Sequence, residues 1–297
     1  MALTDSVLMC PPTHFDVRYA INPWMRQGAG VSRRNAHRQW SALKQLISAH
    51  AHVDLIDSVP GLPDMCFTAN AGFAHGDTFV CSRFRHPERR GEEAHFMRWF
   101  EAKGFTCRRL ANDVIFEGAG DALTDRSGRI WIGHGQRSSF ESAQALGELV
   151  GAEVIPLRLV DPRFYHLDTC FAPLANGSVL YYAGAFDAAS IAAIERRFAS
   201  PFRLVVSEAD ATKFACNLID LGDTVILNTA GDAVQHMLER SGLAVHQLDL
   251  GEFLKSGGSA KCLVLPLPAS ANVSIPHAHR GFEFEEAVQP SATASSV

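Results

Sequence analysis

The sequence predicts an α/β protein built as a ring of five strand-strand-helix-strand units. Three observations carry that expectation. Turn dipeptides typical of hairpins recur roughly every fifty residues, at Gly76-Asp77, Ser127-Gly128, Asn176-Gly177 and Gly222-Asp223. Each is followed by an amphipathic helical stretch and then by a short apolar strand. The segment after Gly257 opens one more unit, and the N-terminal residues through Asn22 can complete it. Such units cannot bury their apolar faces singly, and joining the chain ends leaves no open sheet edge.

The elements follow in order. After Asn22-Pro23-Trp24, apolar Trp40, Leu43, Leu46 and Ile47 fall on one face of a helix over Ala36 to Ala49, and Val53 to Ile56 reads as a strand. A first hairpin over Cys66 to Phe84 leads to a helix from Gly91 to Lys103, which Gly104 stops, and to a strand over Phe105 to Leu110. The second hairpin covers Val114 to Gly133. Its helix starts from a Ser138 or Ser139 cap and ends at Gly151, before a strand over Val154 to Leu159. In the third unit Asn176-Gly177 joins alternating apolar runs between His166 and Tyr182, a strong hairpin signal, ahead of a helix near Ala188 to Phe198 and a strand over Arg203 to Val206. The fourth takes in Phe214 to Asn228, a helix over Ala233 to Arg240 and a strand over Val245 to Leu248, and Gly257 to Leu265 reads as the opening strand of the fifth. Residues 1–281 are expected to form a single domain and 282–297, ending SATASSV, a flexible tail.

Composition narrows the function. The chain has 297 residues, of which 47% are hydrophobic and 20% charged, enough to bury a large core and too apolar for a disordered chain. A net charge of -5 leaves no basic footprint for nucleic acid, since Glu88, Glu92 and Glu93 dilute the cluster of Arg83, Arg85, Arg89 and Arg90. The seven cysteines are dispersed and odd in number, which favours reduced thiols and a cytoplasmic setting. Neither a secretory leader nor an apolar run long enough for a membrane span stands out, so no membrane partner is expected. A homo-oligomer stays open.

Within this frame, polar residues are expected on the first strands of the hairpins: Asn70, Glu117, His166 with Asp168, and Cys262. Cys262, in KSGGSAKCLVL, is followed by an apolar strand and preceded by small residues that allow a close backbone approach; on its own it is an ordinary core cysteine. A nucleophilic thiol needs a proton-transfer group close by. His166 in FYHLDTCF is the acid-base candidate, and Asp168, two residues on, is expected on the same face of a strand, where it would orient the imidazole or bind a cation. Glu117 in IFEGAGD stands in an unfavourable place for a carboxylate unless it meets a charged partner. A guanidinium is planar with five N–H donors, and Glu117 and Asp168 suit it as paired acceptors. Asn70 in FTANAGF adds an amide without charge, and Arg89 and Arg137 are candidates for a substrate carboxylate. The histidine pairs His50/His52 and His277/His279 lack further ligands at metal-site spacing, and the GAGD and GGSAK stretches lack the ending of a phosphate loop.

Taken together, PDMCFTANAGF, FEGAGD, HLDTCF and GGSAKC resemble, in order, the guanidine-modifying superfamily of pentein enzymes, which includes arginine deiminases, dimethylarginine dimethylaminohydrolases and amidinotransferases. The match covers about residues 14–266. It implies a five-bladed α/β propeller of ββαβ units, with Cys262 as nucleophile, His166 as acid-base residue and Glu117 and Asp168 as guanidinium ligands. Asn70 stands where deiminases carry an aspartate. INPWM, PDMCFTANAG, HPER and GQRS are similar to the arginine dihydrolase group of cyanobacteria, which turns arginine into ornithine, carbon dioxide and two ammonia. In that group the asparagine goes with a second round of hydrolysis. The resemblance further implies that Asn22, Asn70, Arg89, Asp121 and Arg137 contact substrate, and that the covalent reaction needs no metal or cofactor. Two alternatives follow from it: a dimethylargininase releasing citrulline and an alkylamine, and a ribosome-associated binding module of the same fold.

Overall fold

The computed structural model describes residues 6–111 and 113–268. The expected tail and the pair His277/His279 lie outside the described residues. The chain runs β1 (Ser6–Met9), α1 (Arg33–Ser48), β2 (His52–Leu55), β3 (Gly72–His75), β4 (Thr78–Cys81), α2 (Glu93–Ala102) and β5 (Thr106–Arg108). It continues with β6 (Ala122–Thr124), β7 (Ile130–His134), α3 (Glu141–Val150), β8 (Val154–Arg158), β9 (Phe171–Pro173), β10 (Val179–Tyr181), α4 (Ala188–Arg197) and β11 (Arg203–Val205). The described chain closes with α5 (Glu208–Ala211), β12 (Ile219–Asp220), β13 (Thr224–Asn228), α6 (Asp232–Arg240), β14 (Ala244–Leu248), α7 (Gly251–Leu254) and β15 (Leu265–Leu267).

Five separate three-stranded sheets result, each with the same plan. A central strand pairs antiparallel with the strand before it and parallel with the strand after the helix, as β4 does with β3 and β5. The fifth sheet is completed across the chain ends, with β1 antiparallel to β15 and parallel to β2. The N-terminal strand thus supplies the middle of a unit begun at the other end. Among the described residues no helix is long and apolar enough to cross a membrane.

The helices form where the apolar spacing placed them. Along α1, Ala36, Trp40, Leu43 and Ile47 are buried on one face, and the Ser32 hydroxyl accepts the Asn35 amide at the start. In α2, Phe96 and Phe100 face inward, Phe100 stacking on Phe79 with ring centroids 3.6 Å apart. Buried side chains gather into three apolar clusters that tie neighbouring units together.

Several expected boundaries move. The stretch Gly257 to Leu265 is not one strand: a turn through Gly257 and a 3-10 turn at Lys261–Leu263 precede a shorter β15. Helix α3 begins at Glu141 without Ser138 or Ser139 as its cap, because both hydroxyls bond elsewhere, Ser138 to Asp121 and Ser139 to the Ile115 carbonyl.

The larger correction concerns the polar residues themselves. They do not sit on the first strand of each hairpin. Asn70 lies in a 3-10 turn at Thr68–Ala71, Glu117 caps one at Gly118–Gly120, His166 and Asp168 flank and occupy one at Leu167–Thr169, and Cys262 is in that at Lys261–Leu263. Strand side chains alternate between the two faces of their own sheet, whereas a turn ahead of the strand carries its side chains past the sheet end. The turn at Thr68–Ala71 touches those at Gly118–Gly120 and Lys261–Leu263, and that at Gly118–Gly120 touches the one at Leu167–Thr169.

Candidate active site

The turns bring Asn70, Arg89, Glu117, Arg137, His166, Asp168 and Cys262 into one buried cluster; each side chain is almost fully shielded from solvent. Glycine makes the close approach feasible. Gly118 has φ +64°, and a Cβ there would lie 2.6 Å from the Gly72 nitrogen; a Cβ on Gly120 would lie 2.2 Å from Asn70 Nδ2.

Glu117 is the hub. One carboxylate oxygen accepts the Arg85 amide at 3.0 Å, and the other accepts Arg137 Nη1 at 2.9 Å and meets His166 Nε2 at 2.8 Å. Burial works against its charge, but the Arg137 guanidinium and the His166 hydrogen bond outweigh burial and hold the carboxyl well below the usual carboxylate range. Arg137 also donates to the Ile21 carbonyl at 2.8 Å and lies over the Tyr165 ring.

The orientation of Asn70 follows from its neighbours. Arg89 is a donor only, so the Asn70 oxygen, 2.8 Å from Arg89 Nη1, must be the acceptor there. The Asn70 amide nitrogen then faces His166 Nδ1 at 3.3 Å and donates to it. Nδ1 is therefore the unprotonated nitrogen, and the neutral ring carries its proton on Nε2, facing Glu117. Burial pushes the imidazole down to about 4, with Glu117 pulling it up and Arg137 and Arg89 adding to the depression. Arg89 is gripped as well by a two-pronged pair with Glu92 at 2.9 and 2.8 Å and by the Asp64 carbonyl.

Asp168 does not share a face with His166. The 3-10 turn between them sends His166 toward Asn70 and Glu117 and Asp168 toward the cysteine, its oxygens 3.8 and 3.6 Å from Cys262 Sγ. Burial raises the Asp168 carboxyl to about 7, against Lys261, Cys262 and Asn217, which lower it. Burial together with the Asp168 charge pushes the Cys262 thiol far above its ordinary value, so the free site holds a thiol.

Sequence reasoning misses Asn217. Its amide nitrogen donates to Cys262 Sγ at 3.1 Å and to the Asp168 carbonyl at 3.1 Å, and its oxygen accepts the Cys262 amide at 3.2 Å. The signal that could have found it is FACNLIDL, the lead-in to the one hairpin turn that contributes no residue to the sequence-based set. Ser138 and Asp64 escape it as well. Ser138 Oγ accepts the Glu117 amide and donates to Asp121 at 2.6 Å, while Asp64 accepts the Tyr19 hydroxyl at 2.9 Å and keeps its other oxygen unbonded among the described residues.

Asp121 is engaged by Ser138 and by the Leu167 amide at 3.1 Å, which makes it a brace between turns. Asn22 uses its amide to hold the Trp24 and Met25 nitrogens and the Ser256 carbonyl. It lines a slot with Ile21, Met25, Asp64, Phe67, Asn70, Arg89, Arg137, Tyr165, Ser256, Gly258 and Cys262, and the free volume there is about 10 Å³, room for one water. Among the described residues no group of three or more His, Cys, Asp or Glu is placed to hold a metal ion, and His52 lies 3.6 Å from Asp54.

The arrangement joins a thiol, a histidine of defined tautomer, two carboxylates facing different partners and two buried guanidinium groups, a combination suited to covalent chemistry on a cationic planar substrate. Comparison with known proteins points the same way. The bifunctional arginine dihydrolase/ornithine cyclodeaminase AgrE of Nostoc sp. is 52% identical over 260 residues, 87% of this chain and 37% of AgrE. The corresponding enzyme of Synechocystis sp., ArgZ, is 49% identical over 267 residues, 89% of this chain and 38% of ArgZ. A point variant of its N-terminal domain, with an asparagine replaced by serine, has been solved covalently bound to a reaction intermediate, with 48% identity, a TM-score of 0.87 and coverage of 89% of this chain and 97% of that domain. This chain thus spans less than two fifths of these bifunctional relatives. An N(G),N(G)-dimethylarginine dimethylaminohydrolase of Mycobacterium tuberculosis is 40% identical over 265 residues, 89% of this chain and 86% of that enzyme. Residues 15–268 match the family described as N,N dimethylarginine dimethylhydrolase, eukaryotic, and it is to this family that the chain belongs.

Proposed function

We propose that the chain is a cysteine-dependent hydrolase of the arginine guanidine group, a dihydrolase that yields ornithine, carbon dioxide and two ammonia from arginine and two waters. The observation that carries this reading is the hydrogen-bond chain Arg89, Asn70, His166, Glu117, which assigns every proton around the histidine, while Cys262 lines a slot together with Asn70 and Arg89. Half identity to the two cyanobacterial dihydrolases, through the domain seen with a covalent intermediate, supports it.

The geometry suggests the course. A guanidinium held by Glu117 and Asp168 brings positive charge beside a thiol that is otherwise protonated, which favours the thiolate. His166 takes the thiol proton, Cys262 Sγ attacks the guanidine carbon, and ammonia leaves with that proton as the bond from carbon to nitrogen breaks. Water, deprotonated by the same histidine, then releases the thiol and leaves the ureido product bound. A second attack expels the second ammonia, and hydrolysis of the resulting thioester frees the carbamate of ornithine, which loses carbon dioxide to give ornithine. Arg89 and Arg137 line the slot and suit the substrate carboxylate, with Asn22 shaping its wall and Asp121 bracing the turns. Arginine needs more than 10 Å³, so the slot has to widen for it to enter.

For the whole, we infer a single catalytic domain whose five sheets are the blades of a pentein propeller, a reading supported by their common plan and by the turns that meet beside the slot. The unpaired cysteines support a cytoplasmic setting. A second reading, release of citrulline and an alkylamine from methylated arginine, is favoured by the family match. Incubating the protein with arginine and with dimethylarginine and identifying all products decides between them. Ornithine with two ammonia per arginine supports the first; citrulline as the end product rejects it.

A further inference from the structure

A second cavity, of about 260 Å³, lies against the turn that carries Cys262. Phe73, Phe171, Leu218 and Val264 contribute apolar wall, and Lys261 and Asp168 add charge. Cys262, by contrast, lines the substrate slot, so consecutive residues of one turn serve two cavities. The Lys261 ammonium nitrogen is shut off from solvent and has no hydrogen-bond partner among the described residues. A buried ammonium is costly unless a charge compensates it, and Asp168, which also lines the cavity, attracts it through its carboxylate. That carboxylate is also the anion 3.6 Å from Cys262 Sγ, where it opposes thiolate formation.

We propose that Lys261 is a positioning residue for the nucleophile: from the second cavity its ammonium offsets the Asp168 carboxylate and so allows Cys262 to ionise beside an anion. The inference rests on Cys262 being the nucleophile. The burial of Lys261 Nζ matters because screening by water and salt, which would weaken the offset, is reduced at an atom shut off from solvent. Other titratable groups around the pair do not supply the charge. Burial drives Tyr165, Asp121, Cys170 and Cys216 toward their neutral forms, and it also lowers the Lys261 ammonium, which Asp168 and Cys262 pull back up. Asp220, which also lines the cavity, has its oxygens engaged by the Ala175 and Gly222 amides, and the remaining titratable wall residue is His75.

The test is the pH dependence of Cys262 alkylation by iodoacetamide, read by mass spectrometry of the Cys262 peptide in the intact protein. Lys261→Met is expected to raise the apparent thiol pKa by about one unit and to slow alkylation at pH 8 about tenfold, with Lys261→Arg restoring most of the rate. Asp168→Asn, which removes the opposing anion, should move the profile the other way. A folded Lys261→Met protein, with unchanged near-ultraviolet circular dichroism, that keeps the wild-type profile overturns the proposal. Should Lys261→Met fail to fold, an Asp168→Asn profile that is unmoved or shifted upward overturns it instead. Failure of the nucleophile assignment looks different: Cys262→Ala would keep turning over arginine.

Discussion

The two halves of the site are built on opposite principles. Around His166, every polar atom has a partner: Arg89 holds the Asn70 oxygen, Asn70 holds Nδ1, and Glu117 holds Nε2 and Arg137 at 2.8 and 2.9 Å. Around Cys262 the charged groups are less tightly held: Asn217 donates to the sulfur at 3.1 Å, but Asp168 stands 3.6 and 3.8 Å from it and the Lys261 ammonium has no hydrogen-bond partner among the described residues. Satisfied polar networks in a low-dielectric interior are rigid, whereas unsatisfied ones are held at a cost that an incoming charge can relieve. The acid-base half is thus set before substrate arrives, and the nucleophile half is completed by a cationic substrate.

That contrast can be broken in several ways. The largest effect is expected from Cys262→Ala, which should lower ammonia release from arginine by about 10⁴-fold or more; full activity in a coupled ammonia assay would end the assignment. His166→Gln should reduce kcat by about 10² to 10⁴-fold, the usual contribution of a positioned acid-base group, with less change in KM. In Glu117→Gln the buried Arg137 guanidinium loses its counter-charge, so thermal unfolding should report a loss of about 3–5 kcal/mol. A much smaller loss would mean that the network around His166 is less rigid than its distances suggest.

The pH profile sharpens the other half. With its pKa raised to about 7, Asp168 takes up a proton as pH falls through neutrality and loses its grip on a guanidinium. KM for arginine should therefore rise about tenfold between pH 8 and pH 6, the ratio of ionised fractions for a group titrating at about 7. A flat KM over that range would remove Asp168 as a ligand. The smallest effect concerns product choice. Asn70→Asp puts an acceptor where His166 Nδ1 now accepts, which favours a ring protonated on both nitrogens. Citrulline should then accumulate at the expense of ornithine by several-fold, and an unchanged product ratio would free Asn70 from the second hydrolysis.

Much of this architecture is legible in the amino-acid sequence. Turn dipeptides at Gly76-Asp77 and Asn176-Gly177 fall between β3 and β4 and between β9 and β10, because such residues suit tight hairpin turns. The helix faces are readable from apolar spacing, as in α1. Helix ends are less so: Ser138 resembles a helix cap in sequence but bonds to Glu117 and Asp121, and nothing local distinguishes the two uses.

The sequence by itself determined the repeated unit, the joining of the chain ends in one sheet, and the set of residue types present beside the hairpins. Only the tertiary structure decided who meets whom. Asn70 and His166 are 96 positions apart, and Asn217 and Cys262 are 45 apart. Such contacts depend on short 3-10 turns and loops meeting from different units, and no periodicity along the chain encodes them. The same holds for the split between His166 and Asp168: two positions apart, they were expected on one strand face, and a single turn directs them to different partners. Local chemistry selects a residue's conformation, whereas its proton, its charge and its partner are set by what the rest of the fold brings within about 3 Å.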